Sequence, residues 1–306
     1  MPTPNTKTKE PSQLPKSRPF SVSQEEYPFR DHWFEKDGTS MHYLDEGEGL
    51  PVVMLHGNPT WSFLYRNIIK EMRNRCRCIA PDYPGFGFSE HPEGYGYSPR
   101  EHAKWVSELI GQLQLNRYVL VMQDWGGPIG LSIAVDHPDK VAGLVICNTW
   151  CWAPSVRLRL FSHLMGGMPA KYLHLNYNFF ARFMVPLGIT KEEVRRDEIL
   201  KAYTDAFPTR ESRKGTWVFP RAIRKSAPWL RYLEQRLDRL QNKPVELVWA
   251  MKDPAFGKVS FINRWKRYFP EACVRRVPDA SHFIQEDRPD EVVISIKRVL
   301  EKIENA

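Results

Sequence analysis

From Val52 onward, short apolar runs alternate with longer stretches in which apolar residues recur at helical spacing. "VVML" (Val52–Leu55), "CRCIA" (Cys76–Ala80), "YVLVM" (Tyr118–Met122), "LVIC" (Leu144–Cys147), "VELVWA" (Val245–Ala250) and "CVRRV" (Cys273–Val277) are strand-length. Most are rich in β-branched residues, as strands buried on both faces of a parallel sheet are. Strands alternating with helices predict an α/β fold, a mostly parallel central sheet flanked by helices. Ahead of them, "HWFEKDGTSMHYLDEG" places two alternating runs around Asp37-Gly38, which predicts a hairpin and an antiparallel edge.

Far more chain separates Cys147 from Val245 than one crossover helix needs, and it is dense in Trp, Phe, Tyr, Met and Leu. A helical cap over residues 150–217 is expected there, inserted after the sixth strand, with the main domain formed by 20–149 and 218–306. Residues 1–19, "MPTPNTKTKEPSQLPKSRP", contain no apolar run and read as a flexible arm.

The length of 306 residues, with 42% apolar and 26% charged residues, fits one large domain with an insertion. The net charge of +8 does not make a nucleic-acid footprint, because the basic residues are interspersed with acids along most of the chain. The densest excess runs from Arg210 to Lys225, where Arg210, Arg213, Lys214, Arg221, Arg224 and Lys225 face only Glu211, and it reads as a solvated face. No apolar run approaches the ~18 residues of a spanning helix, and the arm lacks the hydrophobic centre of a secretory signal. A cytoplasmic protein with neither nucleic acid nor membrane as partner is expected. The five cysteines are odd in number and contain no C-x-x-C pair, which fits a reducing compartment. With the nine histidines they form no ligand set at zinc spacing, so no metal is expected.

In an open parallel sheet, reactive groups gather where strands end. "VVMLHGNPTW" ends in His56-Gly57-Asn58-Pro59, "VLVMQDWGG" in Asp124-Trp125, "ELVWAMKDP" in Asp253, and "CVRRVPDASHF" leads to His282. "LVMQDWGGPIG" has the outline of a nucleophile elbow, a sharp strand-to-helix turn that lifts one side chain into a cleft. Here that residue is Asp124, and the chain order nucleophile, acid, histidine is that of a hydrolase triad. Taken singly, each residue has a plainer reading: Asp124 as a helix N-cap, Asp253 as a turn former, His282 as a satisfied histidine. Their coincidence at strand ends, in that order, favours a catalytic set. Met122 stands two before Asp124, where the serine elbow usually carries glycine.

A carboxylate at the elbow selects its chemistry. Serine attacking a saturated carbon would give an ether that water cannot readily cleave. Aspartate gives an alkyl ester, hydrolysable at its own carbonyl carbon with the aspartate regenerated. Displacement at sp³ carbon is therefore predicted, with Asp124 as nucleophile, His282 as base toward water and Asp253 orienting the imidazole. Backbone N–H groups of Asn58 and Trp125 are expected to receive the transient oxyanion.

"LHGNPTWSFLYRN", "PDYPGFGFSE", "QDWGGPIG", "NTW", "MKDP" and "SHFIQEDRP" together resemble the haloalkane dehalogenases of the α/β-hydrolase fold, across essentially the whole chain after the arm. The resemblance implies a halide clamp formed by Asn58 and Trp125, whose side chains donate N–H bonds. It implies a small apolar halogenated substrate, with halide ion and water, and no cofactor. Asp253 after the late strand, together with Asn58, is most similar to the third subfamily, which allows a homo-oligomer. The other acid position of the family follows Cys147, where Asn148 and Thr149 stand. Of the cap aromatics Trp152, Phe161, Phe179, Phe180 and Phe183, the sequence does not single out those facing the pocket. The rivals are an epoxide hydrolase, for which Tyr172, Tyr177 or Tyr203 would have to act, and a non-catalytic ligand-binding or oxygenase relative of the same fold.

Overall fold

The computed structural model describes residues 16–305. Eight strands form one sheet in the order β1-β2-β4-β3-β5-β6-β7-β8. The hairpin of β1 (His32–Lys36) and β2 (Thr39–Glu46) is the antiparallel edge, turning at Asp37 and Gly38, both at positive φ. β2 is also antiparallel to β4 (Arg77–Pro81). The remaining neighbours are parallel: β3 (Pro51–Leu55), β4, β5 (Tyr118–Gln123), β6 (Val141–Cys147), β7 (Val245–Ala250) and β8 (Cys273–Val277). β5 and β7 are buried along their whole length, whereas β8 is mostly exposed. As the last strand of the sheet, β8 presents Arg275 and Arg276, charges that discourage pairing with another edge.

The path reverses at the centre of the sheet. From β3 the chain passes through α1 (Arg66–Met72) outward to β4, returns through α2 (Pro99–Gln112) to β5, then proceeds the other way through α3 (Gly126–Asp136) to β6. Right-handed crossovers in opposite directions place their helices on opposite faces. The carboxyl ends of β3 and β5 thus flank a topological switch point, where such sheets form their crevice.

After β6 come α4 (Val156–Met165), α5 (Met168–Tyr177), a π-helical turn over Phe180–Met184 running into α6 (Val185–Leu187), α7 (Asp197–Asp205), α8 (Lys214–Lys225) and α9 (Ala227–Glu234). After β7 follow α10 (Val259–Tyr268), α11 (Ile284–Asp287) and α12 (Pro289–Glu304). The expected cap boundary after Trp217 falls inside α8, so it is not an element boundary. α8 packs on α4 and α5, whereas α9 packs on α3. We therefore propose that the cap extends over residues 150–225. A hydrogen bond from Tyr203 to a buried ion pair of the main domain fastens this cap. Arg66 donates to both carboxylate oxygens of Glu286, at 2.5 and 2.9 Å, and Tyr203 of α7 donates to the same carboxylate. Deleting one partner of such a pair leaves an uncompensated buried charge, at a cost of roughly 3–5 kcal/mol.

Most of the expected arm, residues 1–15, lies outside the described residues. Its final part is held in place: Lys16 pairs with Glu35 and Glu90, and Arg18 with Asp31.

Candidate active site

The loops that follow β3, β5, β6, β7 and β8 supply Asn58, Asp124, Asn148, Asp253 and His282. At the elbow the chain leaves β5 and enters α3 within two residues. Asp124 has φ +49°, a left-handed conformation that costs a non-glycine residue about 1–3 kcal/mol and persists only where the surroundings enforce it. Gly126 permits the turn, since a Cβ there would lie 2.0 Å from the Leu55 carbonyl oxygen. Met122 is accommodated one helical turn on, because a Cβ at Gly130 would lie 2.6 Å from its sulfur.

Asp124 is not a helix cap. Its Oδ1 accepts the backbone N–H of Asn58 at 2.9 Å, and α3 begins after Trp125 without a side-chain cap. Its Oδ2 lies 3.7 Å from His282 Nε2. Burial raises the Asp124 carboxyl above its ordinary range, against the stabilising pull of His282 and the backbone N–H groups of Asn58 and Trp125.

His282 Nδ1 meets Asp253 Oδ2 at 2.9 Å. Asp253 is fully engaged: Oδ1 accepts the N–H groups of Ala255 (2.7 Å) and Phe256 (3.1 Å), and Oδ2 also accepts Asn148 Nδ2 (2.9 Å). Burial opposes its ionisation, but the charge and hydrogen bond of His282 and those two backbone donors outweigh burial and lower its pKa. The same balance acts in mirror image on His282. Burial disfavours the imidazolium, while the charge and hydrogen bond of Asp253 and the charge of Asp124 prevail and raise its pKa.

Two polar residues in this network carry no role in the sequence reading. Gln123 Nε2 lies 3.1 Å from both His282 Nε2 and the His282 carbonyl oxygen, which it can donate to. Asn148, noted in the sequence only for lacking a carboxylate, accepts the Ala250 N–H at 2.7 Å and holds Asp253 with its amide. A polar residue at the buried end of an otherwise apolar strand, or directly after it, was the signal for both.

Above these groups lies a cavity of about 180 Å³. Its floor contains Asn58, Asp124, Trp125, Asp253 and His282, and its roof Leu158, Phe161, Phe180, Met184, Pro220 and Ile223. Phe161 and Phe180 thus face the pocket, whereas Trp152 packs on Trp265 and Phe183 points to solvent. The Trp125 indole is wedged against Trp150, with ring centroids 4.8 Å apart, and among the described residues no acceptor takes its N–H. Asn58 donates one amide N–H to the Thr216 carbonyl at 3.3 Å; the group has a second. Among the described residues no tyrosine lines the cavity: Tyr172 and Tyr177 are exposed, and Tyr203 is committed to Glu286.

Residues 51–289 match the family model of the alpha/beta hydrolase fold. Haloalkane dehalogenase 2 of Mycobacterium tuberculosis is 41% identical over 279 residues, covering 90% of this chain and 97% of that protein. The chain belongs to the haloalkane dehalogenase family. The crystal structure of a further member of the family, haloalkane dehalogenase DbeA from Bradyrhizobium elkani, superposes with a TM-score of 0.82 at 25% identity, covering 90% of this chain and 99% of the other. Relatives bearing another name are also similar: the cis-3-alkyl-4-alkyloxetan-2-one decarboxylase of Shewanella oneidensis is 31% identical over 90% of each chain.

Proposed function

We propose that the protein hydrolyses haloalkanes in two steps through an ester on Asp124. The observation that carries the reading is an ionisable carboxylate at the floor of an apolar cavity, beside an indole N–H that no acceptor takes among the described residues. In the first step Asp124 Oδ2 attacks the halogen-bearing carbon and the carbon–halogen bond breaks. The leaving halide is received by the N–H donors of Trp125 and Asn58, which offer no competing acceptor at those atoms.

In the second step His282 takes a proton from water, and the resulting hydroxide adds to Cγ of the ester. Asp124 Oδ1 becomes the oxyanion and already accepts the Asn58 N–H. Collapse releases the alcohol and restores the carboxylate, and the proton passes from His282 to solvent. Asp253 keeps Nδ1 protonated, leaving the Nε2 lone pair for water; Gln123 positions the histidine by donating to its carbonyl oxygen.

The absence of a tyrosine from the cavity lining weighs against epoxide opening, which needs an acid at the departing oxygen. Decarboxylation of an oxetan-2-one is the second reading, supported by the Shewanella relative. Purified protein given bromobutane, styrene oxide and a dialkyl oxetanone in parallel separates the three. Halide release that disappears in Asp124→Ala is expected; diol or carbon dioxide without halide overturns the proposal.

A further inference from the structure

From Lys140 to Lys191 the chain carries no Asp or Glu, while Arg157, Arg159, Lys171 and Arg182 fall in the same span. After β6 this span folds into α4, α5, the π-helical turn and α6, and their outward surface carries large apolar side chains among its basic ones. Val156 (85% exposed), Leu160 and Leu164 recur every fourth residue along α4 and so form one stripe. Met168 (69% exposed) and Tyr172 have the same spacing on α5. α4 and α5 touch one another and both pack on α8, so what they turn away from α8 lies on one side of the cap. Leu187, 67% exposed, lines the cavity together with Phe161, so this apolar face borders the pocket mouth.

Leaving leucines exposed forgoes the stabilisation their burial would give, and a contiguous patch of such residues marks an interaction surface. Its charges are one-sided. Arg159 and Arg182 are exposed and have no carboxylate partner among the described residues. Lys171 and Arg221 lie against the Trp217 ring at 4.8 and 5.0 Å from its centroid, adding cations from α5 and α8.

We infer that this face docks on an anionic lipid surface, its α4 and α5 stripes entering the interface and its arginines meeting the headgroups. Charge complementarity selects that occupant. A second copy joined about a twofold axis would set this carboxylate-free surface against itself, cation to cation. A nucleic acid would satisfy the arginines but offers nothing to the leucine stripe. Apolar burial and attraction of cations to anionic lipid are the two contributions that hold a helix in the membrane interface. The sequence expectation of no membrane partner rested on the lack of a spanning run, and among the described residues no helix is long and apolar enough to cross. Surface docking requires neither. It also stands apart from the reaction at Asp124, and it opens the pocket mouth toward the phase in which apolar molecules accumulate.

The test is flotation of the full chain, without substrate, on vesicles of phosphatidylcholine alone and of phosphatidylcholine mixed with phosphatidylglycerol. Binding to the mixed vesicles only is expected, weakening in high salt as charge is screened. The R159E/R182E variant is expected to lower the partition coefficient at least about fivefold per residue. L160E/L164E, which changes no cavity-lining residue, is expected to abolish flotation while the thermal midpoint and halide release from a soluble substrate stay unchanged. No flotation, equal flotation on both vesicle types, or a dimer that L160E/L164E returns to monomer would overturn the inference, the last by assigning the face to a second copy.

Discussion

On the floor of the pocket directional bonds fix the working side chains, whereas the roof is held by apolar packing. Asp253 accepts four hydrogen bonds, from His282, Asn148, Ala255 and Phe256, and Asp124 is kept at positive φ by the packing around it. Leu158, Phe161, Met184 and Ile223 above them touch the cavity with carbon and sulfur alone. A hydrogen-bonded floor tolerates little displacement, since each lost partner leaves a buried polar group unsatisfied. An apolar roof can exchange one shape for another of similar volume at less than about 1.5 kcal/mol. On the proposed mechanism the floor decides which reaction takes place, and the roof decides which molecule undergoes it.

Substitutions in the two regions should separate cleanly. Asp124→Asn removes the proposed nucleophile and should lower kcat by at least about 10⁴-fold, read as halide release. Asp253→Asn should cost about 10³- to 10⁴-fold by favouring the wrong imidazole tautomer, with bound-substrate affinity little changed. Trp125→Phe removes one donor at the departing halide and should lower the alkylation rate about 10²-fold. On the roof, Ile223→Ala should shift KM among alkyl chain lengths by about tenfold per methylene or less, leaving kcat for a short substrate near wild type. A floor-like loss of kcat from Ile223→Ala would erase the distinction.

The floor also carries a pH signature. In the free protein the Asp124 charge helps to raise the His282 pKa, after Asp253 has overcome the effect of burial. Esterification neutralises Asp124, which removes that contribution and makes the imidazole less basic in the intermediate. Hydrolysis of the alkyl-enzyme, which needs neutral His282, is lost as pH falls through the lowered pKa. Its acid limb should therefore lie below the His282 titration of the free protein, compared by single-turnover kinetics and histidine NMR. Alkylation, which needs ionised Asp124, should fail as pH drops through a value above the usual carboxylate range, because burial raises that group.

The same division governs what the sequence discloses. Asp124, Asp253 and His282 could be read because each closes or follows a short apolar strand, and parallel strands bring such ends together whatever lies between them. Gln123 and Asn148 stood at the same places, but their bonds to His282 and Asp253 cross between strand ends and have no spacing in the chain to betray them. The cap was legible as an apolar helical insertion and little more. Aromatic density does not separate Phe161 and Phe180, at the cavity, from Trp152, against Trp265, or Phe183, in solvent. The boundary expected at 217 lies inside α8, which runs on to Lys225 and carries Pro220 and Ile223 into the roof.

The most direct test of the account is intact-mass and peptide mapping of His282→Phe after exposure to a bromoalkane. Without the base, alkylation should proceed and hydrolysis should stop, so the protein should gain the mass of one alkyl group, located on Asp124. An adduct on another residue, or no adduct from a substrate that the wild-type protein turns over, would contradict it.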